Sequence, residues 1–233
     1  PETNPELAAA RTAGVRVLSR AELLCAVTDG YVLASVAGTH GKTTTTSMLT
    51  LALQEAGFDP SFAIGSELNE SGSNAHLGGS NFFVVEADES DGTFLQLKTF
   101  VGIVTNVEPD HLNYWQTYDR LESAFEEFAL NCAKRRGFLV VCVDGVGGKK
   151  LAQRARSAGV DVRTYGESAD VDFQVRVAHT SAADWRFEID HAGQVWAQMS
   201  LKVPGLHNAL NATAAAIAAV GLGADLNAVV RGL

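Results

Sequence analysis

Gly38-Thr39-His40-Gly41-Lys42-Thr43-Thr44-Thr45-Thr46 places two glycines, a lysine and four consecutive threonines between an apolar run, Tyr31–Ala37, and a segment with helical apolar spacing, Ser47–Ala56. A strand, a glycine-rich turn ending in Gly-Lys-Thr and a helix together make a phosphate cradle. The glycines let backbone N–H groups turn inward, and a helix N-terminus adds favourable dipole charge. Lys42 can then reach terminal phosphates, and the Thr43 hydroxyl can serve a magnesium ion. Val36 stands where the longer Walker spacing has its first glycine, so the motif is the shorter G-x-x-G-K-T. The plainer reading, a strand-to-helix turn with an incidental lysine, does not account for this context. The expected ligand is a nucleotide held at Gly38, Thr39, His40, Gly41, Lys42, Thr43 and Thr44, with ATP and Mg2+ as cofactors.

Three further clusters follow apolar runs. Phe82–Val85 ends in Glu86-Ala87-Asp88-Glu89-Ser90-Asp91. From the end of a strand beside a phosphate cradle, Glu86 can hold magnesium directly or through water, and Asp88, Glu89 and Asp91 add charge nearby. Alone, such a cluster reads as a solvated acidic turn. Phe100–Val107 leads to Glu108-Pro109-Asp110-His111, where His111 can take a second metal ion or touch substrate with Asp110 orienting it. Turns are rich in both residue types, so the pair is weak taken singly. His207-Asn208-Ala209-Leu210-Asn211 opens an alanine-rich helix. Its amides can read an adenine edge, but asparagine is also a common helix cap, and residue chemistry alone favours the cap. Ser71–Gly79 is a polar loop that is either a solvated connection or a grip on substrate.

Elements must bring these groups together. The runs Tyr31–Ala37, Phe82–Val85, Phe100–Val107 and Phe138–Val143 are apolar on both faces, which suits buried parallel strands. In open parallel sheets the chemistry lies at strand C-terminal ends, where the polar clusters fall here. Helices are expected at Leu7–Ala13, Ser19–Val27 (Ser19 as N-cap), Tyr118–Ala133, Lys149–Ala158 and Ala209–Val220, and a brief strand at Val15–Leu18. Alternation within 171–203 predicts a small antiparallel sheet. The fold class is α/β: a mostly parallel, P-loop-containing sheet flanked by helices.

The chain has 233 residues, 46% hydrophobic and 19% charged, enough for a substantial core. A net charge of −9 without a basic stripe argues against nucleic-acid or anionic-membrane binding. Cys25, Cys132 and Cys142 have no metal-ligand spacing and read as small buried residues in a reducing compartment. No signal peptide and no spanning apolar run is evident, so the expected location is cytoplasmic.

Together, the blocks Gly38–Thr46, Glu86–Asp91, Thr105–His111 and Pro204–Asn211 resemble the Mur ligases of bacterial peptidoglycan synthesis, over nearly the whole chain. The resemblance implies a three-domain enzyme. Residues 1–29 would be the tail of a UDP-binding domain and its linker. Residues 30–223 would form the central ATP-binding domain, and 224–233 a helix leading to an absent C-terminal domain. It also implies catalytic roles for Lys42, Glu86 and His111, metal binding by Thr43, Glu86 and His111, and nucleotide contacts from His207, Asn208 and Asn211. Sugar-nucleotide contacts would come from Ser73, Asn74, Asn106, Asp110 and His111. The Glu-Ser-Asp and Glu-Pro-Asp-His blocks look most like the member that uses UDP-N-acetylmuramate and L-alanine through an acyl phosphate. The runner-up is the wall-recycling ligase of the same superfamily, which typically has Tyr where Ser90 stands. A nonenzymatic P-loop switch is the reading from another class. Two departures stand out: Asn113 replaces an Asp frequent in relatives, and no lysine lies between His111 and Lys134, where several siblings carry a carbamylated one.

Overall fold

The structure, a computed structural model, describes residues 4–68, 73–180 and 185–233. Along the chain run α1 (Pro5–Thr12), α2 (Arg20–Thr28), β1 (Val32–Ala37), α3 (Lys42–Glu55), β2 (Ser61–Leu68), β3 (Ser73–His76) and β4 (Phe82–Glu86). A 3-10 turn (Thr93–Gln96) precedes β5 (Val101–Val104), α4 (Leu112–Trp115), α5 (Tyr118–Lys134), β6 (Phe138–Cys142), α6 (Val146–Ser157) and β7 (Asp161–Gly166). Then come β8 (Phe173–Thr180), β9 (Trp185–His191), β10 (Gln194–Leu201), α7 (Leu206–Gly221) and α8 (Leu226–Gly232). The strands form one sheet in the order β10-β9-β8-β7-β6-β5-β1-β4-β2-β3. Pairing is parallel from β8 through β2 and antiparallel at β8–β9, β9–β10 and β2–β3.

The central strands are apolar throughout because both faces are covered. Side chains alternate across a strand, so in β1 Leu33 and Ala37 enter the core under α5 and α6, while Ala34 and Val36 enter the core under α3, α7 and α8. On α5, Leu121, Phe125, Phe128 and Ala129 form the expected buried face. Helix α7 buries Ala209, Ala212, Ala216 and Ala219, whose small side chains let it lie close against α3 and the sheet. Ser19 caps α2 in a full capping box with Glu22: the Glu22 N–H donates to Ser19 Oγ (3.2 Å) and the Ser19 N–H to the Glu22 carboxylate (2.7 Å). Phe94 is fully buried against Phe125 and Phe128 (ring centroids 5.4 Å from each) and against Trp115. Phe94→Ala should therefore cost about 3–5 kcal/mol, read as a fall in the urea midpoint at unchanged slope.

Several expectations are corrected. Val15–Leu18 forms no strand: among the described residues nothing pairs with it, and Val15 stays exposed. The expected antiparallel strands of 171–203 are present as β8, β9 and β10, and they continue the main sheet because β8 pairs parallel with β7. Part of the Ser71–Gly79 loop is strand, Ser73–His76, zipped onto β2 at the sheet edge (Phe62↔His76, Ala63↔Ala75), with edge pairing overriding its polar composition. Ser71 and Gly72 lie outside the described residues. Helix α3 starts at Lys42, five residues before Ser47, and within it the hydroxyls of Thr46, Ser47 and Thr50 each donate to the carbonyl four residues back. Strands β2 and β7 and the short α4 carried no strong periodic signal. Helix α8 is packed onto α3, with Val229 in the same core and Arg231 paired to Glu55 at 3.1 Å. Among the described residues, no helix is long and apolar enough to cross a membrane.

Candidate nucleotide and phosphoryl-transfer site

The register of the central strands assembles the site. Val36 lies opposite Glu86 and Ala37 opposite Val104, so the segments after β1, β4 and β5 emerge side by side at one edge of the sheet. The turn after β1 needs its glycines. Gly38 has φ +128° and Gly41 φ +85°, both in the region that favours glycine. A Cβ on Gly38 would stand 2.2 Å from Thr105 Oγ1, and one on Gly41 would stand 2.7 Å from Asn211 Oδ1. The first bond of α3 runs from the Thr45 N–H to the Gly41 carbonyl (2.9 Å), so the amides of Lys42, Thr43 and Thr44 form the open N-terminal turn. Gly38→Ala should abolish nucleotide binding and lower stability by about 1–3 kcal/mol, as read by nucleotide titration and denaturation of one preparation.

The segment after β5 braces this turn. Asn106 Oδ1 accepts the His40 N–H (2.9 Å) while its Nδ2 donates to the His40 carbonyl (3.1 Å). The Glu108 N–H donates to Thr39 Oγ1 (3.2 Å). Both ends of the Asn106 amide are thus spent on the cradle, a positioning geometry that the expected sugar-nucleotide contact did not anticipate.

Lys42 is folded inward. Its ammonium donates to the Gly38 carbonyl (2.8 Å) and to Glu89 Oε1 (3.1 Å). Thr43 Oγ1 donates to Glu86 Oε2 (2.9 Å), which also accepts the Gly65 N–H (3.0 Å). A Cβ on Gly65 would lie 2.8 Å from that oxygen, so the close approach depends on the glycine. A hydroxyl and a carboxylate meeting beside the open helix turn are hard oxygen donors of the kind Mg2+ takes. The residues present fit the ion. Glu89 is 1% exposed, and burial pushes its carboxyl above the usual range, opposed by the Lys42 charge. Its backbone carbonyl accepts the Trp115 indole N–H (2.9 Å).

His111 adopts φ +52°, unusual for a residue with a side chain, and its N–H donates to Asp110 Oδ1 (2.7 Å). This turns its Nε2 to within 3.8 Å of Glu89 Oε1 and 3.7 Å of Asp110 Oδ2. Asn211, buried on α7, lies directly against Gly41. His207 and Asn208 sit one turn earlier. Asn208 does not cap the helix, because Gly205 occupies the cap position and Asn208 Nδ2 donates to the Pro204 carbonyl (2.8 Å). Ser73, opposite Leu68, reaches the same edge of the sheet three strands away from β1, with exposed Asn74 beside it. Between α2 and the ends of β2 and β4 a cavity of about 380 Å³ opens, walled by Leu23, Val27 and Ile64 and floored by Gly65 and Glu86.

Lys42, Thr43, Glu86, His111 and Asn211 are thus brought together, while Ser73, Asn74, His207 and Asn208 flank them. Sequence reasoning gave no role to Gly65 or Trp115 and counted Glu89 only as nearby charge. All three acids, Asp88, Glu89 and Asp91, carry the same charge; burial singles out Glu89.

The profile of the Mur ligase middle domain matches residues 36–219, which includes every residue named above at this site except those of α2. The chain belongs to the Mur ligase family. As a Mur ligase domain it is 48% identical over 233 residues to the UDP-N-acetylmuramate–L-alanine ligase of Acidothermus cellulolyticus, covering all of this chain and 49% of that protein. Its fold is similar to that of the UDP-N-acetylmuramate–alanine ligase of Thermotoga maritima (TM-score 0.84, 27% identity, all of this chain and 52% of that one). It is equally similar in fold to the Neisseria UDP-N-acetylmuramate:L-alanyl-γ-D-glutamyl-meso-diaminopimelate ligase (TM-score 0.84, 25% identity, 97% of this chain and 73% of that one). The chain spans about half the length of the curated relatives it matches.

Proposed function

We propose that this Mur ligase domain is the ATP-binding part of an enzyme that joins L-alanine to the lactyl carboxylate of UDP-N-acetylmuramate. The observation that carries the reading is the convergence of Lys42, the Thr43–Glu86 pair and His111 at the open N-terminal turn of α3. A nucleotide-binding switch needs the cradle but has no use for His111 and Glu89 gathered beside it. The 48% identity to an alanine-adding ligase supports L-alanine over the recycling substrate, between which the fold is neutral.

The reaction follows from charge. A carboxylate oxygen attacks the γ-phosphorus of ATP, the bond to the β-phosphate oxygen breaks, and ADP leaves. The amine of L-alanine then attacks the acyl carbon, the C–O bond to phosphate breaks, and phosphate departs as the amine loses a proton. Carboxylate and triphosphate repel, so catalysis rests on positioning and on cationic groups at the moving phosphoryl. Lys42 exchanges the Gly38 carbonyl and Glu89 for phosphate oxygens, and the amides of Lys42, Thr43 and Thr44 cradle the β-phosphate. Thr43 and Glu86 would hold Mg2+, which would supply positive charge to offset that of the phosphates. Gly65 and Thr43 fix the Glu86 carboxylate, and Asn106 fixes the cradle through His40. Asn211, with His207 and Asn208, faces the adenosine end, while Ser73, Asn74, Asp110 and His111 lie toward the sugar nucleotide. In this reading residues 30–223 are the ATP-binding unit, joined to a UDP-binding part before it and an amino-acid-binding part after it.

The test uses the full-length protein with UDP-N-acetylmuramate labelled with 18O in the lactyl carboxylate, offered a panel of amino acids and peptides. L-alanine should be the preferred acceptor, and one labelled oxygen should appear in each phosphate released. Preference for a tripeptide would transfer the assignment to the recycling ligase, and unlabelled phosphate would remove the acyl phosphate.

A further inference from the structure

Glu89 is aimed by its backbone rather than by its carboxylate. Oε1 meets the Lys42 ammonium at 3.1 Å and lies 3.8 Å from His111 Nε2, so one carboxylate sets where both groups stand. Oε2 is shut off from solvent with no hydrogen-bond donor among the described residues. A lysine on its flexible four-carbon stem is a poor anchor for such a side chain. Within the turn, the Ser90 N–H donates to Asp88 Oδ1 (3.0 Å), and the Gly92 N–H reaches the Glu89 carbonyl at a long 3.4 Å. The shorter bond to that carbonyl, 2.9 Å, comes from the Trp115 indole N–H. Trp115 is itself firmly placed. The His111 carbonyl, just before α4, accepts the N–H groups of both Tyr114 (2.9 Å) and Trp115 (3.1 Å). His111 and Gln116, on either side of α4, take φ of +52° and +68°, conformations that persist only where the surroundings enforce them. The indole stands edge-on to the buried Phe94, with centroids 6.3 Å apart. It therefore ties the segment after β5, which carries His111, to the segment after β4, which carries Glu89.

We propose that Trp115 is a positioning residue for phosphoryl transfer: through the Glu89 backbone carbonyl it holds the Glu89 carboxylate between Lys42 and His111. This rests on the phosphoryl-transfer reading above, in which the placement of Lys42 sets the rate. Without the indole N–H the turn slackens, and a displacement of about 1 Å among groups that must be aligned costs on the order of 10²-fold in rate. The amides of Lys42, Thr43 and Thr44 lie on α3 and are untouched, so the loss falls on the rate and not on nucleotide affinity.

The test isolates the N–H. In the full-length protein Trp115 alone is replaced by benzothienylalanine, which keeps the shape of the ring system and puts sulfur where indole has N–H. ADP formed from Mg-ATP and UDP-N-acetylmuramate in a single turnover is timed in wild type and in Glu89→Gln, with and without the replacement. In the wild-type background the rate constant should fall about ten-fold or more, at unchanged amplitude, with half-saturation by ATP moving by about two-fold or less. In Glu89→Gln the replacement should change the rate constant by less than about two-fold, since both changes act through one carboxylate. An unaffected rate constant in the wild-type background would overturn the proposal, as would a fall in amplitude alone, the mark of partly unfolded protein. An equal loss in both backgrounds would overturn it too, because Trp115 would then act elsewhere. Should the replaced protein fail to melt cooperatively, Trp115→Phe, which keeps an aromatic ring against Phe94, is timed under the same criteria. Wild type that forms no ADP would take down the phosphoryl-transfer reading and this proposal with it. Active wild type beside an unaffected variant removes Trp115 alone.

Discussion

Lys42→Met in the full-length protein should lower phosphoryl transfer by about 10³-fold, the scale of removing a donor aimed at developing transition-state charge, measured as ADP formed in a single turnover. The variant should also be less stable, for a reason visible only in the structure. Glu89 is buried and its partner Lys42 partly so, and removing the lysine strands the carboxylate, at a cost of up to about 3–5 kcal/mol. Glu89 relieves part of that by taking up a proton. Burial already raises its folded pKa, and losing Lys42 raises it further. A carboxyl whose folded pKa lies above its unfolded value of about 4.3 contributes stability that is full below that value and is lost as pH rises through the folded pKa. The deficit of Lys42→Met against wild type should thus be small near pH 5 and largest near pH 8, checked by urea denaturation at both. A deficit independent of pH would mean that Glu89 is not the group left unpaired.

Glu86→Ala should have the second largest effect, on the magnesium-dependent part of nucleotide affinity. Wild type should bind the nucleotide more tightly with Mg2+ than without. In the variant about 10–100-fold of that enhancement should vanish, corresponding to the ~1.5–3 kcal/mol of a hydrogen bond to a charged group. Binding without the ion should change little, because the amides of α3 and Lys42 remain. Calorimetric titrations with and without Mg2+ separate the two quantities, and an unchanged enhancement would remove Glu86 from the metal site. Stability should fall only modestly, since Thr43 Oγ1 and the Gly65 N–H lie at a partly open edge where water replaces the carboxylate.

What could be read from the chain beforehand follows a physical line. Buried parallel strands announce themselves as continuous apolar runs, and their C-terminal ends announce themselves as abrupt polar clusters, so β1, β4, β5 and β6 and the segments after them were legible. The Gly38–Thr44 turn was legible because few backbones tolerate that glycine spacing. Strand β3 was not, because Ser73-Asn74-Ala75-His76 owes its conformation to an edge partner in β2 rather than to its own propensity. The start of α3 was obscured by threonines that favour other structures until their hydroxyls bond back to the helix. Asn208 read as a cap from its type, yet the chain turns at Gly205 and leaves Asn208 inside the helix. Glu89 shows the deepest limit. It neighbours another acid, Asp88, yet the turn buries Glu89 alone of the two, with its carbonyl accepting the indole N–H of Trp115, 26 residues later.

The measurement closest to the central claim is a calorimetric titration of this chain with Mg-ADP, beside the same titration of Lys42→Met. One saturable site per chain in wild type, lost in the variant, is the predicted result. It would place the phosphates on the turn between β1 and α3. Equal binding by both proteins would contradict the account, because the nucleotide would then lie elsewhere on the molecule.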